Sequence, residues 1–163
     1  MTLKYSSTRI LHDDHMATLA LLAEVERIVL ARRDGPAQIE QQEGRFLDRM
    51  CKALNNEVGV HFDFEESSIL PMLAEYGEPG LGELLLEEHH VLRDVVRDVV
   101  ALAEDGRASG FSPEQWQKFR RLCGELVERL TSHIEKEERA LLPVLEEALT
   151  PDTDSEIAAH HDI

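Results

Sequence analysis

The sequence predicts an all-α fold, an antiparallel up-down four-helix bundle built from two pseudo-symmetric helical hairpins. Three observations lead there. The first is an internal repeat: HFDFEESSILP at 61–71 and HIEKEERALLP at 133–143 share a His, Glu-Glu and Leu-Pro skeleton, 72 positions apart. Cys51 and Cys123, Leu54 and Leu126, and Leu73 and Leu145 keep that offset, while DDH at 13–15 is echoed by EEH at 87–89. Two halves follow one plan. The second is the recurrence of apolar residues every three or four positions along long stretches, the spacing that lines one face of a helix. The third is composition: 42% hydrophobic but only 5% aromatic, with many Leu, Glu and Ala.

The punctuation gives each helix in turn. Thr8 is the expected cap of a first helix that runs to about Arg33, where Asp34-Gly35-Pro36 breaks it. The second is expected from about Gln38 to Tyr76, ending at Gly77. The third extends from about Leu81 to Glu104 and stops at Asp105-Gly106. The fourth opens at Ser112-Pro113-Glu114-Gln115, with an N-cap, a proline in the first turn and a capping-box glutamine, and runs to about Leu149. Pro71 and Pro143 fall inside helical patterns at matched positions, so each helix is expected to kink or nearly end there. Residues 1–149 are thus expected to form the bundle. Residues 150–163 form a C-terminal tail, either a short helix begun at TDSE (153–156) or disordered.

A chain of 163 residues suits one domain with a sizeable core. Its net charge of -16 argues against nucleic acid and anionic membrane as partners, because phosphates would be repelled. No early apolar run follows MTLKYSST, so neither a signal peptide nor a membrane span is expected, and the expected location is cytoplasmic. Cys51 and Cys123 lack CxxC spacing and read as reduced core thiols. The protein partner is unknown, and the expected state is a monomer or homodimer.

The chemistry lies in the apolar seams. On the second helix the seam runs Leu47, Met50, Leu54, Val58, His61, Glu65, Ile69, Met72; on the fourth it runs Phe119, Leu122, Leu126, Leu130, His133, Glu137, Leu141, Val144. An imidazole and a carboxylate, one turn apart, interrupt each. A buried unpaired glutamate costs several kcal/mol, and the seams offer no Lys or Arg to offset it. Metal ions would satisfy both residue types together. The other helices add His15, which falls in the series Leu11, His15, Leu19, Leu22, and His89, which lies between Leu85 and Leu92. The matched halves then contribute His15, His61 and Glu65, and His89, His133 and Glu137. Six such donors suit two ions bridged by the glutamates better than one zinc, which takes four ligands. Nitrogen and oxygen donors with open sites favour two iron ions, ahead of manganese or zinc. His12 stands one turn before His15, at an angle that permits ligation without the repeat requiring it. His90, His160 and His161 read as surface residues, Glu66 and Glu138 as members of a solvated face, and Glu88 as an acceptor for the second N–H of a ligand histidine.

These residues resemble the hemerythrin-like, or HHE cation-binding, domains over roughly 8–149: LHDDH at 11–15, HFDFEE at 61–66, EEH at 87–89 and HIEKEE at 133–138 carry the likeness. The resemblance implies an antiparallel four-helix bundle around a non-haem di-iron centre, with ligand positions on His15, His61, Glu65, His89, His133 and Glu137. The oxygen-carrying branch has a further histidine one turn after the third-helix ligand; here Arg93 stands there. The expected function is therefore a di-iron protein that binds or senses oxygen, nitric oxide or peroxide, or handles iron. The alternatives are a di-iron enzyme turning over peroxide or donating iron for iron–sulfur repair, and an interaction module with a structural metal site.

Overall fold

In a computed structural model, residues 2–36 and 38–161 are described. Their regular structure is all helix, with no strand among the described residues, and it forms five helices rather than four. Helix α1 spans 6–30, as Ser6–Val25 and a wide π turn, Glu26–Leu30. Helix α2 spans 41–76 and contains two π turns, Glu57–His61 and Glu65–Ile69. Helix α3 is Pro79–Ser109. Helix α4 spans 113–148, as Pro113–Lys136, a π turn Glu137–Leu141, and Leu142–Ala148. Helix α5, Pro151–His161, turns the expected tail into a helix.

Local chemistry sets most of the ends. At α4 the full capping box forms: the Ser112 hydroxyl accepts from the Gln115 amide at 3.1 Å, and the Ser112 amide donates to Gln115 Oε1 at 2.8 Å. Gly77 ends α2 in the left-handed conformation, at φ 101. Helix α3 passes the expected stop at Gly106, because the positive-φ residue is Gly110, at φ 76. Gly106 serves a different purpose: a Cβ there would lie 2.0 Å from the Phe111 ring, which folds back over it.

At Pro71 and Pro143 the regular α pattern breaks, although neither ends its helix; each sits in the first turn of a segment that follows a π turn. A proline has no N–H to return to the carbonyl four residues back, and the widened turn accommodates its absence.

Cross-chain contacts position the helices. Glu24 of α1 pairs with Arg49 of α2, and Leu30 O at the end of α1 accepts from Arg120 near the start of α4. Glu66 of α2 meets Arg93 of α3, and Glu88 of α3 meets Lys136 of α4. The start of α1 is held by other elements. Tyr5 offers no side-chain cap, and the Ser6 and Ser7 amides donate instead to Asp154 of α5, at 3.0 and 2.8 Å. Thr8 lies within the first turn, its hydroxyl on Tyr5 O and on Glu146. The apolar core falls into two clusters. The larger centres on Val25, Met50, Leu54, Val99, Phe119 and Leu126; the smaller, reached by Ile157 of α5, on Leu11, Ile69, Leu73, Leu85 and Leu145. A polar layer separates them.

Candidate metal centre

That layer is made of the six residues singled out in the sequence. His15, His61, Glu65, His89, His133 and Glu137 are all buried, none more than 2% exposed. Each takes a place in an apolar stripe, so the helix that buries Leu11 or Leu54 also turns His15 or His61 inward. Both glutamates open a π turn, which shifts the helical register just beyond them.

The donor atoms fall into two groups of four. His15, His61, Glu65 and Glu137 form one, and Glu65, His89, His133 and Glu137 the other; within each, the atoms lie within 4.8 Å of one another. Both carboxylates belong to both groups. His12 stands outside them, with its Nδ1 2.9 Å from Glu138 Oε2.

The atoms facing the centre approach closely without making hydrogen bonds. His15 Nε2 is 2.7 Å from Glu137 Oε2, and His133 Nε2 is 2.7 Å from Glu137 Oε1. Even so, the Nε2 atoms of all four histidines and all four oxygens of Glu65 and Glu137 are buried without an aligned hydrogen-bond partner. Leaving one such group unsatisfied costs ~1–3 kcal/mol, more when it is charged. A cation taking these lone pairs removes that cost, so the donor set fits metal.

On the outward side, each ring nitrogen Nδ1 faces a carboxylate. His15 Nδ1 is 2.6 Å from Glu138, His89 Nδ1 is 2.8 Å from Glu66, and His61 Nδ1 is 3.2 Å from Asp14. His133 Nδ1 faces Glu88 at 3.7 Å, beyond hydrogen-bond range. Such carboxylates fix the tautomer and leave Nε2 free to ligate. Glu66 and Glu138 therefore belong to the site rather than to a solvated face, and the sequence reading did not identify Asp14. The available signal was the doubling itself: Glu65-Glu66 and Glu137-Glu138 recur in both halves, as do Asp14-His15 and Glu88-His89. His90 and His160 are exposed as expected, whereas His161 packs against the Phe64 ring and lies 3.5 Å from Asp14. Phe62 stacks on His89 with ring centroids 3.8 Å apart, and the Arg93 guanidinium lies over the Phe62 ring, 5.5 Å from its centroid.

Without metal, protons occupy the centre. Burial lowers the basicity of His133, but Glu137 and Glu88 outweigh it and push its pKa up to about 10. Burial likewise opposes protonation of His89, and Glu137 and Glu65 raise it to about 9. His15 and His61 are raised as well, against burial, by Glu137 and Glu65 respectively. Burial would raise Glu137, yet His133, His15 and His89 hold it well below the usual carboxylate range. All four imidazoles hold a proton more tightly than a free histidine does, so a cation competes with protons for the same atoms.

An all-helical fold whose two apolar clusters are parted by a buried histidine–glutamate layer defines a class: helical proteins that hold metal cations inside the fold. The chain belongs to the hemerythrin HHE cation binding domain family, matching it over residues 6–145 and again over 81–163. The second match starts at the second half of the repeat. No curated protein matches the chain. No helix among the described residues is long and apolar enough to cross a membrane.

Proposed function

We propose that this chain is a non-haem di-iron protein that binds or senses a small ligand such as oxygen, nitric oxide or peroxide. The single observation that supports it is the sharing of Glu65 and Glu137 between two four-donor groups. One ion would leave two imidazoles unused, whereas two ions would use all six residues. His15 and His61 would hold one and His89 and His133 the other, each with Glu65 and Glu137 within reach. This nitrogen–oxygen set without thiolate suits iron with coordination to spare, ahead of manganese or zinc. In this reading residues 1–149 form an antiparallel up-down bundle of four long helices, supported by the Glu24–Arg49, Leu30–Arg120, Glu66–Arg93 and Glu88–Lys136 contacts, and 150–163 are appended to it.

When bound, iron supplies the open coordination positions and redox chemistry that a diatomic or peroxide ligand needs. The protein supplies the rest. Asp14, Glu66 and Glu138 hold imidazole protons outward, so that Nε2 stays a donor. Phe62, with no exposed surface, keeps water from the outer face of His89. Arg93 stands where a further histidine would ligate in an oxygen carrier, and it is committed to Glu66 and Asp63 at 2.7 and 3.2 Å. That favours sensing or scavenging over dedicated oxygen carriage.

The test is anaerobic reconstitution with ferrous iron followed by metal analysis. About two irons per chain, with optical bands that change reversibly on adding nitric oxide or oxygen, are expected. One tightly bound zinc per chain and no iron uptake would overturn the reading.

A further inference from the structure

The two metal positions have similar ligands but different surroundings. At the first, His15 and His61 rest on Glu138 and Asp14, and the other partners of those carboxylates are imidazoles: His12 at 2.9 Å and His161 at 3.5 Å. At the second, His89 rests on Glu66 while His133 only faces Glu88 at 3.7 Å, and both carboxylates are held by permanent cations: Arg93 at 2.7 Å and Lys136 at 2.8 Å. Resting on the two-iron reading above, we propose that the positions are unequal, and that the ion held by His89 and His133 is the labile one.

Four observations point the same way. A carboxylate beside Nδ1 raises the donor strength of the imidazole, and a cation sharing that carboxylate withdraws part of the effect. Arg93 and Lys136 also place two fixed positive charges beside the second position, where a dication must sit. His133 has lost its outward hydrogen bond altogether: Glu88 stands 3.7 Å away while Lys136 contacts both of its oxygens, at 2.8 and 3.1 Å. Finally, Glu57 adds a buried carboxyl to the first position only. It lies one turn before His61, buried, and keeps one oxygen unpartnered while the other accepts from Thr18 at 3.0 Å. The repeat-related residue in the second half is Arg129, half exposed and paired with Glu125. Grooves reach the outer carboxylates of both positions: about 380 Å³ at Glu88 and about 250 Å³ at Glu66 on the second, and about 680 Å³ at Glu138 on the first. Charge separates them.

The experiment follows iron leaving the protein. Chain loaded anaerobically with two ferrous ions is mixed with excess bipyridine, and the coloured chelate is followed with time. Two phases of equal amplitude are expected, about tenfold or more apart in rate, the span that such outer partners control. Arg93→Gln with Lys136→Gln should slow the fast phase towards the slow one, while Arg97→Gln, on an exposed pair with Asp94, should change neither. His133→Ala should keep one slow ion and His15→Ala one fast ion, and metal content reports both even where a variant is less stable. Release in one phase, a fast ion that survives His133→Ala, or a fast phase unmoved by the double substitution would overturn the proposal. A wild-type chain that loads only one ion would instead overturn the two-iron reading beneath it.

Discussion

Asp154 ties α5 to the start of α1, and its removal has a calculable effect. The carboxylate accepts from the Ser6 and Ser7 amides at 3.0 and 2.8 Å and from the Ser7 hydroxyl at 2.7 Å, while the first turn of α1 has neither a local cap nor an acidic residue. Asp154→Ala removes an N-cap worth about 1 kcal/mol and a negative charge at a helix N-terminus worth about 0.3–1 kcal/mol. The Ser7 hydroxyl keeps a partner in Asp154 O at 3.2 Å, so it adds little. A total of about 1.3–2 kcal/mol should lower Tm by roughly 3–8 °C in a chain of this size. Burial would raise the Asp154 pKa, but Ser7 and Ser6 together outweigh it and lower it from 3.8. A depressed pKa contributes stability that is present above the unfolded value and lost as pH falls through the folded value. Wild type and variant should therefore differ fully at pH 7 and by less at pH 2, below the unfolded value of 3.8. Urea unfolding of both metal-free proteins at the two pH values measures this. A difference below about 0.5 kcal/mol at pH 7, or one that persists undiminished into acid, would refute the assignment of Asp154 as the α1 cap.

Other outcomes follow from the centre. Glu137→Ala should empty both positions because that carboxylate serves both groups, whereas His61→Ala should leave one ion; elemental analysis distinguishes two, one and zero. Metal binding at pH 7 should release protons from His89 and His133, whose pKa values lie near 9 and 10, and apparent affinity should rise with pH; an indicator dye reads the release. The metal-free protein has the opposite slope. Its raised imidazoles stabilise it fully below about pH 6.5, and that contribution fades as pH climbs through 9 and 10, which calorimetry would detect. Metal removal should leave a helical protein, because the two apolar clusters lie on either side of the site, but one destabilised by about 4 kcal/mol per ion held at a thousandfold excess over Kd. Both thiols should resist alkylation near neutral pH: burial pushes Cys51 up to about 11 and raises the buried Cys123 further, and mass spectrometry after iodoacetamide treatment tests it.

The parts of this protein that depend on one helix face were legible in the sequence. The His-x-x-x-Glu pairs, the capping box at Ser112 and the left-handed Gly77 each follow from spacing or from one residue's conformational needs. The parts that depend on two helices were not. Glu66 and Glu138 stand about 100° around from the seam, and only the approach of α3 and α1 turns those directions inward, onto His89 and His15. The tail read as two alternatives because its order comes from elsewhere in the chain, through Asp154 on α1 and Ile157 in the smaller apolar cluster. Gly106 read as a stop because the sequence does not reveal that the Phe111 ring needs that space. The π turns were invisible to a count of 3.6 residues per turn, since each uses one residue more than that count assigns.

Neither half of the repeat holds a complete donor group. Each helical hairpin supplies three of the four donors to its own position and must take the fourth, a glutamate, from the other. Glu66 and Glu138 cross in the same way, each steadying a histidine of the opposite half. Two identical hairpins facing one another across a two-fold axis between the carboxylates would generate the same six ligands, but would also make the two positions copies by symmetry. Fusing the halves into one chain removes that restriction. Thr18 and Glu57 on one side answer to Leu92 and Arg129 on the other, so mutations can accumulate in one half without being mirrored in its twin. A centre assembled from duplicated parts thereby becomes able to give its two donor groups different surroundings.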